Sequence, residues 1–101
     1  MRRPAAPTLS NPLNNAVGVI CGYQLLADAR ESVGWGNLTK ASAEVRDAGR
    51  ILLASIDASD CMGRHEARCA IRSVIHDSVD AGVQWGQEEG LAMIDAIEAL
   101  G

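Results

Sequence analysis

The run IRSVIHDSVDAGVQWGQEEGLAMIDAIEAL, residues 71–100, sets how this chain folds. One helical meridian drawn through it carries Ile71, Ile75, Val79, Gly82, Gly86, Gly90, Met93, Ile97 and Leu100. Steps of three and four average close to the ~3.6 residues of an α-helical turn, so the stripe holds its phase through three glycines. Each glycine inside a helix costs on the order of 1 kcal/mol relative to alanine. Keeping three on the packed side predicts a second helix backbone lying close against them.

Two readings of this run compete. The unbroken phase predicts one long helix, straight or kinked, starting between Cys61 and Glu66 and reaching Leu100. Such a helix would outrun its neighbours, and its distal Met93, Ile94, Ile97 and Leu100 would need a partner chain. Against it, Val83-x-Trp85-Gly86 echoes Val33-x-Trp35-Gly36 fifty residues earlier, and the earlier copy reads as a corner. A break near Gly82–Gly86 would make the chain two helical hairpins in a four-helix bundle. Both readings are all-α, with three long helices in the first and four in the second.

Upstream of this run, Leu38, Ala41, Val45, Ala48, Leu52 and Ile56 line one face of an amphipathic second helix, about Leu38–Ala58. Asn37 or Thr39 can cap its start, and Asp60 the start of the third. Helix one is expected from Pro12 to Val33, with Asn11 as cap and proline at the first helical position. Its apolar sector covers about two thirds of the circumference, which predicts the central position in the bundle. Pro4, Pro7 and Pro12 mark residues 1–12 as an extended lead-in, leaving 13–101 as a single helical domain.

Composition narrows the function classes. Apolar residues make up 48% of the chain but aromatics only 3%, so the core is built from small aliphatic side chains. The net charge of −4 argues against a general nucleic-acid binder. That charge is concentrated: residues 77–101 carry Asp77, Asp80, Glu88, Glu89, Asp95 and Glu98 without one Lys or Arg. Such a surface suits a protein target with a basic face, where charge would supply encounter rate and specificity. Cys21, Cys61 and Cys69 are an odd number, and no apolar leader comes after Met1-Arg2-Arg3-Pro4, so reduced thiols in a cytoplasm are expected. No run approaches the ~20 apolar residues of a membrane-spanning helix.

Four constellations bear on function. Gly18-x-x-x-Gly22 and the series Gly82, Gly86 and Gly90 offer small faces expected to meet, within a chain or across a homodimer. No strand is predicted before either set, which favours packing over the competing phosphate-cradling reading. Trp35 and Trp85, each flanked by glycine, are either corner anchors or interface hot spots. Cys61, His65 and Cys69 lie one turn apart on one arc, the spacing a zinc or redox site would use, although one helix seldom gives a single metal more than two ligands. Arg64, Arg68 and Arg72, with Arg46 and Arg50, form basic lines that could track a phosphate backbone, but no aromatics for base stacking interleave them.

No catalytic constellation is present and no cofactor is implied. These features point to a non-enzymatic interaction protein, a regulator or inhibitor docking on a protein target. Phage anti-defence proteins and antitoxins offer an analogy in size and charge only. A metal or redox sensor using Cys61, His65 and Cys69, and a nucleic-acid-associated protein using the arginine lines, are the alternatives.

Overall fold

A computed structural model describes residues 15–100 as four helices: α1 (Ala16–Gly34), α2 (Leu38–Ser55), α3 (Cys61–Asp80) and α4 (Gln87–Leu100). No strand occurs among the described residues, and the protein is an all-α helical bundle. The expectations for residues 1–12, including the Asn11 cap, lie outside the described residues.

Each of the first three helices starts on a side-chain cap. Asn15 accepts from the Gly18 amide at 3.2 Å, Asn37 from Lys40 at 3.1 Å and Asp60 from Gly63 at 2.9 Å. These bonds satisfy amide donors that the first helical turn leaves unpaired. α1 therefore begins four residues later than its pattern predicts. At the other end of the pair, α2 stops at Ser55 because Ile56 is extended (φ −98°, ψ 123°). α4 opens with Glu88 and Glu89 in its first turn, where negative charge opposes the positive end of the helix dipole.

The single long third helix is not formed. α3 ends at Asp80, and the chain turns at Gly82, whose φ of +84° is left-handed. The amides of Gly82 and Val83 close back onto the carbonyls of Val79 and Ser78, both at 2.9 Å. That pair of bonds is the glycine-dependent helix stop known as the Schellman motif. Two of the three glycines thus leave the helix, Gly82 supplying the turn and Gly86 preceding α4, while Gly90 stays within α4. The stripe that reads as continuous is two buried ends, Ile71 and Met93 to Leu100, joined through an exposed middle at Val79, Gly82 and Gly86.

The helix at the centre is α2, not α1. It packs most heavily of the four, chiefly against α1 and α4, which do not meet each other. Ala41, Val45, Ala48 and Leu52 are fully buried along it. Around them gather Leu26 and Ala29 of α1, Ala67, Ile71 and Val74 of α3, and Met93, Ala96 and Leu100 of α4. α1 is apolar over a wide sector, yet its outer side leaves Val17 and Ile20 in solvent.

Glycine does bring helices together, though with other partners than the spacing suggested. A Cβ on Gly18 would collide with the Ser55 side chain, and one on Gly22 would stand 2.5 Å from Leu52 Cγ. Both clashes lie in α2. Gly49 of α2 performs the same service for α4, where a Cβ would come within 3.0 Å of Ala96 Cβ. Gly82, Gly86 and Gly90 have no neighbouring helix against them; Gly86 meets only the Glu89 carboxylate of its own turn. Within the chain the two glycine sets do not meet. Met93 and Leu100 are buried in the protomer's own core, which removes the need for a second chain to cover them.

Candidate partner-binding surface

The antiparallel order of the helices places both corners, residues 35–37 and 81–86, at the same end of the bundle. At the first corner Gly36 has φ +77°, and the amides of Gly36 and Asn37 bond to Val33 and Ser32, each at 2.9 Å. Asn37 then caps α2 at once, so both sides of the corner are fixed. Trp35 stands on it with 83% of its surface exposed. Neither Gly34 nor Gly36 has an atom within 4 Å of where a Cβ would sit, so open space surrounds the indole's neighbours. A rigid corner presenting a free tryptophan carries little ordering cost on binding.

Beside Trp35 an open notch of about 220 Å³ lies between the ends of α1 and α3. Val33, Gly34, Val74 and Ala81 provide its apolar wall, and Arg30, Asp77 and Ser78 its polar rim. Arg30 spans this rim, donating to Ser73 Oγ at 2.8 Å and lying 3.7 Å from the Asp77 carboxylate. Both ionic partners are half or more exposed, so the pair contributes little to stability.

The six acidic residues do not form one patch. Asp77, Asp80, Glu88 and Glu89 cluster at the corner end, with Glu89 folded over Gly86 and half-buried. Asp95 and Glu98 lie further along α4. They share an outward face with Leu91 and Ile94, 52% and 49% exposed, because positions 91, 94, 95 and 98 are helical neighbours. Among the described residues, Asp80, Glu88, Asp95 and Glu98 have no salt-bridge partner.

The two tryptophans divide the roles the sequence left open. Trp85 is an anchor: it packs against the core, and its Nε1 donates to Ser78 Oγ at 2.7 Å. Ser78 is itself buried and donates to Ile75 O at 2.6 Å, so indole, hydroxyl and backbone form a closed chain. Trp35 is the exposed one. The same seat in the first corner is held by buried Ser32, which donates to Glu44 Oε1 of α2 at 2.6 Å.

At the opposite end, Cys61, His65 and Cys69 are all exposed along α3. Cys69 Sγ lies 3.6 Å from His65 Nε2, and Arg68 Nη2 lies 3.2 Å from His65 Nδ1. A guanidinium only donates, so Nδ1 is the acceptor in this contact. No group of three or more His, Cys, Asp or Glu suited to a metal occurs among the described residues. The arginine lines are also partly committed. Arg64 binds the carbonyls of Leu53, Ile56 and Asp57, closing the end of α2, and Arg50 pairs with Asp47.

Two other groups depart from their ordinary titration. Burial, and after it the nearby Glu66 and Cys69 charges, pushes the Tyr23 phenol upward. The Ser59 hydroxyl and amide bond to Asp57 at 2.6 and 2.8 Å and hold its carboxyl below the usual carboxylate range.

No described helix is long and apolar enough to cross a membrane. No family model matches the chain, and neither a curated protein nor a solved structure matches it.

Proposed function

We propose that this protein is a non-enzymatic regulator or inhibitor that docks on a protein target through its corner end. Trp35 would enter an apolar pocket of the partner, while Asp77, Asp80 and Glu88 would face basic residues around it. The observation carrying this reading is the exposure of Trp35 on a corner that hydrogen bonds hold rigid. Tryptophans so placed dominate interface energetics when a ring of polar contacts shields them from water. The outer face of α4, with Leu91 and Ile94 among Asp95 and Glu98, would extend the contact. A second copy is a poor fit to this surface, since pairing it with itself would set like charges opposite one another.

A pull-down from native host extract tests the reading. A protein retained by the wild type should be lost on Trp35→Ala. Reversal of Glu88, Asp95 and Glu98 to Lys should weaken its capture, most visibly at low salt. Circular dichroism should show both variants folded. Equal retention by all three proteins would overturn the assignment of this surface.

A further inference from the structure

We propose that the depression at the other end of the bundle, where α2 passes into α3, binds a small phosphate-bearing anion. It has a volume of about 290 Å³ and is lined by Ala58, Cys61, Arg64, His65, Arg68 and Leu100. Two guanidinium groups and an imidazole converge there without a carboxylate side chain among the lining residues. That is the reverse of what a chain of net charge −4 would place in a hollow by chance.

The arginines are prepared in different ways. Arg64 is fixed by its Nε and Nη2 hydrogens, which donate to Asp57 O at 3.3 Å, Leu53 O at 3.3 Å and Ile56 O at 3.0 Å. Its Nη1 hydrogens are left over, on a group that has already lost its rotamer freedom. Arg68 carries the stronger signal: its Nε is buried and has no hydrogen-bond partner. A buried donor on a charged group is normally satisfied, and an orphaned one calls for an unseen acceptor. An oxyanion seated in the depression, with a small turn of the Arg68 side chain, supplies that acceptor and accepts from Arg64 Nη1 as well. Phosphate fits because its charged oxygens take strong charge-assisted bonds from guanidinium N–H groups, one here from each arginine. The start of α3 at Cys61 offers no free positive end, because the Asp60 carboxylate caps it, so the field in the depression comes from the two guanidinium groups.

The experiment titrates the protein with inorganic phosphate at constant ionic strength, tracking the His65 imidazole signals by NMR. A saturable shift with a dissociation constant on the order of 1 mM is expected. Arg68→Gln should weaken binding about tenfold without loss of helix, because the one contact it gives up, from Nη2 to the exposed His65 ring, lies on the surface. A second arm uses a small phosphate monoester and a third a single-stranded oligonucleotide. Saturation with phosphate and monoester supports the site. A linear drift with phosphate, an unchanged affinity in the Arg68→Gln variant, or binding of the oligonucleotide alone would each overturn it.

Discussion

At the α1–α2 corner the chain leaves one helix and enters the next within residues 35–37, whereas at the α3–α4 corner it takes residues 81–86. Both exits use one device. Ser32, Val33 and Gly36 correspond to Ser78, Val79 and Gly82, with the same two backbone bonds and the same left-handed glycine. The corners part company after the glycine. In the first, Asn37 caps α2 immediately, and tryptophan stands before the glycine, pointing away from the bundle. In the second, Val83 and Gln84 lead the chain back until Trp85 rests on Ser78. One stop signal thus yields a free indole in one place and a core anchor in the other, distinguished by the tryptophan's place before or after the glycine and by the length of the return.

The contrast breaks most visibly at the tryptophans. Trp85→Ala should cost about 2–4 kcal/mol, below the full range for a completely buried tryptophan because the residue is only partly buried. For a domain of this size that is a fall on the order of 10–25 °C in melting temperature. Trp35→Ala should change stability by less than about 0.5 kcal/mol. Iodide quenching checks the assignment independently: the Trp35→Ala variant should lose most of the quenchable fluorescence. Comparable losses of stability in the two variants would mean the corners are not different after all.

The shared part of the device should respond alike. Gly36→Ala and Gly82→Ala each force a side chain into the left-handed region, at about 1–2 kcal/mol, and denaturant unfolding should give similar values for both. A large difference would show that one corner is held by packing instead of its glycine.

The smallest effect lies at the link between the hairpins. Asp57 is held below its ordinary range by Ser59, so its contribution to stability is present above that range and is lost as pH falls through the depressed value. Ser59→Ala should move the Asp57 titration upward by NMR and shift the onset of acid unfolding to higher pH. An unmoved titration would remove the Ser59 hydroxyl as the cause.

Much of this architecture was legible in the residues. The α2 stripe through Ala41, Val45, Ala48 and Leu52 is the buried face found, and Asn37 and Asp60 cap the helices they precede. The two-hairpin arrangement was also visible, but through the wrong repeat. Val-x-Trp-Gly at positions 33 and 83 pairs residues in unlike environments, while Glu31-Ser32-Val33 and Asp77-Ser78-Val79, each with glycine three further on, mark equivalent turns. Gly49 gave no local signal, since its role depends on Ala96 arriving across from it. The acidic side chains were identifiable as a group, but not their division between the corner end and the outer face of α4.

Helices, caps and stops are written locally in this chain, because periodicity, capping and left-handed glycine act over fewer than about ten residues. No local signal made α2 the hub, matched Gly18 and Gly22 to Ser55 and Leu52, or left Trp35 outside. Those outcomes depend on which helix faces fill one another's space, and packing is a property of pairs of surfaces that no single stretch of chain contains.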